Sequence, residues 1–314
     1  MGVGRSAQVG GEIDLTVSIA GRRLANPVGV ASGTFGYGGE YEKLIDLSKI
    51  GALYTKAVTL EPRPGNGMPR IVETSAGLLN SIGLANVGSR AFVEVKAPFL
   101  HSAPCDVVVN IAGSTHEDYA ETLEYVEAHT DLWGYEINLS CPNVKTGGLA
   151  LGTDPREVER ITARLRELTN KPLIVKLTPN VTDIAAIARA AEAGGADAVS
   201  CINTLVGMVI DVENRRPVIP GGTGGLSGPA ILPVAVAAVY RCARAVTVPV
   251  IGIGGIHSAT DAVQFLLAGA QAVQIGTANF VDPKITSTVL DGIAEYMRRH
   301  RIRSVAQFKD AFEV

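Results

Sequence analysis

The stretch NLSCPNVKTGG at residues 138–148 concentrates reactive groups at the end of an apolar run. Cys141 stands there among the polar residues Asn138, Ser140 and Asn143. A cysteine in such a place can be a buried filler, a metal ligand, a redox thiol or a catalytic base. Burial is the default for an isolated cysteine, because free cysteine is among the most buried residue types. The polar neighbours reverse that expectation and favour a chemical role.

The other cysteines and the histidines supply no metal-binding pattern. Cys105, Cys201 and Cys242 lie far apart in apolar runs, and no CxxC pair is present. The five histidines form neither an HExxH motif nor a pair four residues apart. We therefore expect no protein-held metal, and we expect these three cysteines to be core residues. In the absence of a secretory signal pattern, reduced thiols in a cytoplasmic protein are the default.

Polar side chains also recur near the ends of other apolar runs. Two are the lysines Lys56 and Lys176, and three are the asparagines Asn110, Asn138 and Asn203. One such residue would be ordinary, but a buried polar group costs free energy unless it is paired. Five of them at one end of a sheet indicate a polar ligand that supplies the pairing.

Glycine-rich segments late in the chain predict a phosphate site. IGIGG (251–255) leads into a helix, and IGTAN (275–279) follows the last predicted strand. Bare amides and helix N-termini attract phosphate, and barrels often bind it after their seventh and eighth strands. The loop GGTGGLSGPA (221–230) could close over the same group. A dinucleotide-binding GxGxxG fingerprint lacks its acidic residue and its first-strand context.

The phosphate segments and the polar residues together indicate a phosphorylated cofactor or sugar. One of the two lysines could offset the negative charge of a reduced flavin ring, and the other could bind a substrate carboxylate. Lys176 is flanked by apolar residues in VKLTP. We therefore expect its charge to be buried and paired.

Eight near-continuous apolar runs predict the strands that position these residues, as parallel strands covered on both faces require. They are residues 26–32, 52–58, 106–113, 135–141, 172–178, 198–203, 249–256 and 272–278. Helical patterns fall between most of them, at residues 155–169, 182–193, 229–245, 258–269 and 283–300. The alternation predicts an α/β fold, a closed (β/α)8 TIM barrel, and the alternative is an open, doubly wound sheet.

Local signals predict where two of the helices begin and end. Thr182 is expected to cap the helix at 182–193, and Gly194 with Gly195 is expected to end it. Ser258 and Asp261 predict a capping box at the start of the helix after the seventh strand.

Two segments depart from the simple alternation. Residues 12–25 predict a hairpin that turns at Ala20–Gly21 and closes the bottom of the barrel. Residues 61–90 are long and rich in glycine, proline and asparagine, and such an insertion after a strand is often functional. No linker divides the chain, so we expect one domain over residues 1–314, with residues 1–11 as a flexible leader.

Charge and hydropathy exclude several classes of protein. The net charge is −3, from 28 basic and 31 acidic residues, which gives no electrostatic footprint for nucleic acid or an anionic membrane. The longest apolar run, residues 231–239, is too short to span a bilayer. The expected partner is therefore a small molecule, with neither nucleic acid nor membrane.

Taken together, these motifs resemble the dihydroorotate dehydrogenase family, specifically its soluble class 1, from about Leu24 to Asp282. The most specific matches are NLSCPNVKTGG (138–148), TLEPRPGN (59–66) and NSIGLAN (80–86). Further matches are NPVGVASGTFGYG (26–38), VKLTPN (175–180), INTLVGM (202–208), GGLSGPA (224–230) and QIGTANFVDP (274–283). The form VKTGG resembles subgroup B, whose enzymes pair with an electron-transfer subunit.

The resemblance implies a (β/α)8 barrel that binds one FMN per chain. The residues that match the family's FMN contacts are Ser32, Lys56, Ala57, Asn110, Asn138, Lys176, Ile202, Gly228, Gly254, Gly255, Gly276 and Thr277. Those that match its dihydroorotate contacts are Lys56, Asn80, Ser81, Ile82, Gly83, Leu84, Asn138, Asn143, Asn203 and Thr204.

The resemblance also implies a catalytic role for Cys141 as the base, together with Lys56, Asn138 and Lys176. A free thiol has a pKa near ~8.5, so a useful fraction is thiolate near neutrality. Cys141 would take the C5 proton of dihydroorotate while the C6 hydride passes to the flavin on the opposite face. The segment 142–150, with hinges at Gly147 and Gly148, could cover the substrate.

No site for NAD, FAD or an iron–sulfur cluster is visible in the sequence. If NAD is the final acceptor, the resemblance implies a partner subunit with FAD and a 2Fe–2S cluster, in a heterotetramer of two plus two around a homodimeric core. Three alternatives remain. They are the same reaction with fumarate or another acceptor and no partner, a related flavin barrel acting on another pyrimidine, and a non-enzymatic scaffold barrel.

Overall fold

The computed structural model describes residues 13–139 and 151–313. Its strands are β1 (Val17–Ile19), β2 (Arg22–Leu24), β3 (Val28–Val30), β4 (Ala52–Tyr54), β5 (Ile71–Thr74), β6 (Gly77–Asn80), β7 (Asp106–Ile111), β8 (Gly134–Asn138), β9 (Leu173–Leu177), β10 (Ala198–Cys201), β11 (Leu205–Gly207), β12 (Ile210–Asp211), β13 (Arg216–Pro217), β14 (Gly224–Ser227), β15 (Val250–Ile253) and β16 (Ala272–Ile275). Its α-helices are α1 (Gly88–Ala91), α2 (Ala97–Ser102), α3 (His116–His129), α4 (Pro155–Arg166), α5 (Ile184–Ala193), α6 (Leu232–Ala243), α7 (Ala259–Leu267) and α8 (Ile285–His300). A π-helical turn, Phe92–Lys96, joins α1 to α2.

Eight parallel strands form a closed barrel in chain order: β3, β4, β7, β8, β9, β10, β15 and β16. The last strand closes on the first, with Gln274 opposite Gly29. Each barrel strand falls on one of the eight predicted runs, although the hydrogen-bonded part is shorter or shifted by a residue. The prediction of a (β/α)8 barrel is confirmed, and the open-sheet alternative is wrong because β16 pairs with β3.

The barrel strands are buried because helices cover their outer faces and side chains fill the interior. In β9 all five residues are buried, including the charged Lys176. On the outside, α4 buries Val158, Ile161 and Leu165, which share one helical face. Full burial of such a side chain contributes about 1.5–3 kcal/mol each. The apolar runs in the sequence therefore form the buried barrel strands, and these strands hold the polar residues in place.

The helix-start predictions need one correction. The N-cap of α5 is Asp183, whose carboxylate accepts a hydrogen bond from the Ala185 amide, so the prediction of Thr182 was wrong. A carboxylate one residue further on satisfies the free amides of the first turn. Gly194 and Gly195 do follow the end of α5.

The start of α7 follows its prediction in part. Ser258 is the N-cap and accepts from the Asp261 amide at 3.2 Å. The Asp261 carboxylate accepts instead from the Ser258 hydroxyl at 2.7 Å and from the His257 amide at 3.2 Å. The reciprocal bond to the Ser258 backbone amide, which completes a capping box, is replaced by these two contacts.

The N-terminal hairpin has the predicted turn. β1 and β2 are antiparallel, with Ile19 opposite Arg22, and the two turn residues have φ of +53° at Ala20 and +71° at Gly21. Arg22 donates to the carbonyl of Trp133, which directly precedes β8, at 3.1 Å. The hairpin therefore lies at the N-terminal end of the barrel strands, as expected.

A second sheet lies in the segments that interrupt the alternation. It has four antiparallel strands in the order β11, β14, β6 and β5. The insertion at 61–90 contributes β5 and β6, and the segment after β10 contributes β11 and β14. Asn80 at the end of β6 is paired with Gly225 of β14. The insertion is thus tied to the glycine loop at 221–230. No helix among the described residues is long and apolar enough to cross a membrane.

Candidate functional site

The polar strand-end residues lie together at the C-terminal end of the barrel. Asn138 is the last residue of β8, and its direct partner across the sheet is Lys176 of β9. Lys56 follows β4 by two residues, and Asn203 follows β10 by two residues. The parallel register therefore brings together residues that are far apart in sequence. We call this end of the barrel the mouth.

Asn138 and Asn203 are joined directly. The side-chain amide of Asn203 donates to the side-chain oxygen of Asn138 at 3.2 Å, and the Asn203 oxygen accepts from the Thr204 amide at 2.8 Å. These two contacts set which way the Asn203 amide faces. The predicted substrate contacts Asn138, Asn203 and Thr204 thus form one connected group.

Lys56 is a half-buried cation in a position where its charge is disfavoured. Its backbone amide donates to the carbonyl of Gly36 at 2.8 Å, which fixes the start of the side chain. Burial lowers the pKa of Lys56, the charge of Arg70 lowers it further, and Glu40 acts in the opposite direction. An anion in the mouth would relieve the repulsion between the two cations.

Arg70 was not predicted from the sequence as a site residue. Its guanidinium donates to the carbonyls of Asn66 at 2.5 Å and Pro64 at 2.7 Å, so it braces the insertion. A proline-rich stretch with one arginine carries no local signal of an active-site contact. Only the folded position beside Lys56 reveals the interaction.

The predicted loop Asn80–Leu84 is part of the same insertion, and other residues of the insertion hold it in place. Asn66 donates its side-chain amide to the Ser81 hydroxyl at 2.8 Å, and its backbone amide donates to the Ile82 carbonyl at 3.0 Å. Asn80 donates to the Gly225 carbonyl at 3.0 Å. Gly83 has a φ of +71° and Leu84 of +53°, so the loop turns sharply there. These hydrogen bonds fix the shape of the loop.

The predicted phosphate residues lie after β15 and β16. Gly254 and Gly255 have φ of +134° and +77°. A Cβ at Gly254 would lie 2.7 Å from the Ala235 Cβ, and one at Gly255 would lie 2.8 Å from the Leu232 backbone nitrogen. Only glycine fits this close approach to the start of α6.

A hydroxyl pair links the third glycine loop to this region. Thr277, directly after Gly276, donates to the Ser227 hydroxyl at 2.8 Å. Ser227 precedes Gly228, which has a φ of +96°. The loop at 221–230 is therefore in contact with the segment after β16, and its closure over a phosphate stays a prediction.

A charged residue beneath the mouth, Glu136, was not predicted from the sequence. Its side chain is fully buried at the centre of the barrel. It accepts hydrogen bonds from Asn110 at 2.7 Å, Ser200 at 2.8 Å and Gln274 at 2.9 Å, and lies 3.7 Å from the Lys176 ammonium. The expectation that Lys176 is buried and paired is thereby confirmed. The only sequence signal was an acidic residue two positions before Asn138, on the same face of a strand.

The remaining predicted residues are placed as follows. Ser32 and Ala57 follow β3 and β4, Asn110 lies in β7, and Ile202 follows β10. Cys141, Asn143 and the segment 142–150 lie outside the described residues, so their predicted roles stay predictions. Cys201 and Cys242 are core residues as expected, and Cys105 is partly buried against the core. The described residues contain no group of three or more side chains that could hold a metal ion.

The residues of the mouth fit a cofactor with a phosphate and a polar ring. The glycines after β15 form a turn without side chains, whose backbone could approach a phosphate closely, and Lys56 and Lys176 supply positive charge. The side-chain oxygen of Asn110 is buried and has no hydrogen-bond partner among the described residues. A buried acceptor without a partner costs free energy, so this oxygen is suited to a ligand donor. FMN has all the groups that these residues would pair.

The fold and the site define the class of protein: a (β/α)8 barrel with lysine and asparagine side chains at its strand ends and a glycine turn after β15. The family model for dihydroorotate dehydrogenase matches residues 14–297. The chain belongs to the dihydroorotate dehydrogenase family.

Curated relatives resemble the chain over nearly its whole length. The dihydroorotate dehydrogenase B (NAD(+)) catalytic subunit of Geotalea uraniireducens is 52% identical over 297 residues, covering 95% of this chain and 97% of the relative. The subunits of the same name from Pelobacter propionicus and Geobacter sulfurreducens are each 52% identical, over 300 and 301 residues, covering 96% of this chain and 99% of each relative.

Proposed function

We propose that this chain oxidises (S)-dihydroorotate to orotate in pyrimidine biosynthesis, as an FMN-dependent oxidoreductase acting on a CH–CH bond. The observation that carries the proposal is the register of β8 and β9. It brings Asn138 and Lys176 side by side in one mouth with Lys56 and Asn203. In this proposal the whole chain acts as one flavin-binding domain.

FMN, when bound, would accept the hydride from C6 of dihydroorotate. Lys176 and Asn110 would hold its ring, and the amides of Gly254, Gly255 and Gly276 would hold its phosphate. Ser32, Ala57, Ile202, Gly228 and Thr277 complete the proposed cofactor contacts.

The substrate would lie among the amides of the mouth. Lys56 would bind the carboxylate, since its cation already faces the repulsion of Arg70. Asn138, Asn203 and Thr204 would bind the polar edge of the ring, and the loop Asn80–Leu84 would bound the pocket on its other side.

Cys141 would remove the C5 proton. In the sequence it follows Asn138, the last residue of β8, by three residues. Asn143 would contact the substrate from the same segment. A thiol base requires reducing surroundings, and for that reason we place the enzyme in the cytoplasm.

For the electron acceptor, the names of the relatives are the guide. They are called NAD(+)-linked catalytic subunits, and this sequence shows no NAD-binding fingerprint of its own. We propose that the electrons leave through a partner subunit carrying FAD and a 2Fe–2S cluster, in a heterotetramer of two plus two around a homodimer of this chain.

The test is anaerobic and uses this chain alone. The purified protein should be yellow, and its flavin absorbance should bleach when dihydroorotate is added. A yellow protein that does not bleach would contradict dihydroorotate as the substrate and favour another pyrimidine. A colourless protein that takes up no FMN would contradict the proposed enzymatic activity and favour a non-enzymatic scaffold.

A further inference from the structure

Glu136 is a buried carboxylate that the proposed reaction does not use. It lies two residues before Asn138 on β8, which places it about 7 Å below the mouth. Its contacts come from four other strands: Asn110 of β7, Lys176 of β9, Ser200 of β10 and Gln274 of β16. The carboxylate is therefore the point at which five of the eight barrel strands meet.

The contacts of Glu136 are of two kinds. Three neutral donors, Asn110, Ser200 and Gln274, make hydrogen bonds of 2.7–2.9 Å. Lys176 lies 3.7 Å away, which is an ion-pair distance but too long for a hydrogen bond. The neutral donors anchor the carboxylate, and its charge acts on the ammonium. At that distance the N–H groups of Lys176 are not used in a hydrogen bond to Glu136.

The same carboxylate orients the Asn110 amide. A carboxylate only accepts hydrogen bonds, so the Asn110 nitrogen must face it, as observed at 2.7 Å. The Asn110 oxygen then faces away, and it is the buried atom without a partner among the described residues. Glu136 thus contacts both the amide that carries this acceptor oxygen and the lysine whose charge it compensates, and both groups suit a polar ligand ring.

We propose that Glu136 is a positioning residue for the cofactor: it compensates and holds the Lys176 ammonium so that this group can be covered by the flavin ring. The inference rests on the proposed function, because it takes FMN as the ligand. Without Glu136, the ring would cover an unpaired cation, and burying an unpaired charge is strongly unfavourable.

The test is a double-mutant cycle read by FMN affinity, measured as the quenching of FMN fluorescence during titration of the apoprotein. Glu136→Gln should weaken FMN binding by about tenfold or more, because Lys176 loses its counter-charge. In a Lys176→Met background there is no charge to compensate, and the same change should alter FMN affinity by less than about threefold. Equal fold changes in the two backgrounds would overturn the proposal.

A matched control separates this role from general stability. Glu127→Gln removes a carboxylate that pairs with Lys171 at 3.3 Å at the opposite end of the barrel. It should lower the melting temperature of the apoprotein and leave FMN affinity unchanged. An equal loss of FMN affinity in Glu127→Gln would assign the effect of Glu136 to stability alone.

Two further outcomes are distinguishable. If Glu136→Gln does not fold, Ser200→Ala removes one neutral anchor of the carboxylate without changing any charge. It should weaken FMN binding when Lys176 is present but not in Lys176→Met, and equal effects in both would overturn the proposal. A wild-type protein that binds no FMN would contradict the proposed function itself.

Discussion

The side-chain amide of Asn203 donates to the side-chain oxygen of Asn138 at 3.2 Å, across 65 residues of sequence. The contact joins the end of β8 to the segment after β10 and passes over β9, where Lys176 lies. Because the Thr204 amide donates to the Asn203 oxygen at 2.8 Å, the direction of the Asn203 amide is set by the backbone. The two asparagines therefore act as one unit at the mouth.

Replacement of Asn203 by aspartate should break this unit. An aspartate carboxylate cannot donate to the Asn138 oxygen, and its charge would repel the carboxylate of dihydroorotate. We expect the KM for dihydroorotate to rise by about tenfold or more, with FMN content unchanged. Steady-state kinetics and the visible spectrum give both quantities.

The control for this prediction is Asn214→Asp. It adds the same charge on the exposed hairpin of β12 and β13, beside Asp211. Its KM should remain that of the wild type. A normal KM in Asn203→Asp would remove Asn203 from the substrate site.

The repulsion between the charges of Lys56 and Arg70 predicts how catalysis depends on pH. Lys56 must be protonated to bind a carboxylate, so kcat/KM should fall as the pH rises through its pKa. Burial and the charge of Arg70 both lower that pKa. Arg70→Gln removes one of these causes, so the alkaline limb of the pH profile should move to higher pH.

Arg63→Gln serves as the control for that shift. Arg63 lies in the same insertion and donates to the Ser114 hydroxyl at 3.0 Å, but its charge is not among the causes of the Lys56 shift. Its alkaline limb should stay in place. If the limb of Arg70→Gln does not move, Lys56 is not the group that titrates there.

The barrel could be predicted from the sequence because its strands, which are buried on both faces, are nearly continuous apolar runs. The pairing of β6 with β14 could not be predicted, since the segment that forms β14 is glycine-rich and lacks a strand pattern. Glu136 and Arg70 were not predicted either. Their roles follow from contacts with residues of other strands and loops, such as Gln274 138 residues away, which no local pattern records.

The cysteines should differ sharply in reactivity. Burial, aided by the charge of Asp106, raises the pKa of Cys105 to about 12, and burial raises that of Cys201 well above its ordinary value. Thiolate is the reactive form, so these cysteines should resist iodoacetamide at mildly alkaline pH. We expect Cys141 to be alkylated before Cys105 and Cys201 in the native protein, and bound orotate should slow its labelling. Mass mapping of the labelled peptides would contradict this if Cys105 or Cys201 reacted first.

Removal of the Cys141 thiol should separate cofactor binding from chemistry. A general base contributes typically about 10²–10⁴ in rate. Cys141→Ala should therefore keep its FMN and bleach at least about a hundredfold more slowly when mixed anaerobically with dihydroorotate. Cys105→Ala removes a thiol elsewhere and should bleach at the wild-type rate. Near-normal bleaching of Cys141→Ala would exclude Cys141 as the base.

The glycine cradle after β15 gives a test that depends on backbone shape. Gly255 has a φ of +77°, and an added Cβ would lie 2.8 Å from the backbone nitrogen of Leu232 at the start of α6. Gly21, in the N-terminal hairpin at the other end of the barrel, has a similar φ of +71°, but an added Cβ there meets nothing within 4 Å. Alanine at either position should cost roughly 1–2 kcal/mol of backbone strain. Only Gly255→Ala should also displace the cradle.

We therefore expect both variants to melt at lower temperature than the wild type, and Gly255→Ala at the lower of the two. FMN affinity, measured by fluorescence quenching, should fall by about tenfold or more in Gly255→Ala, since amides moved away from the phosphate lose charge-assisted hydrogen bonds. It should stay unchanged in Gly21→Ala. If the two variants bind FMN equally well, the phosphate does not lie on the amides after β15, and the segment after β16 becomes the better candidate.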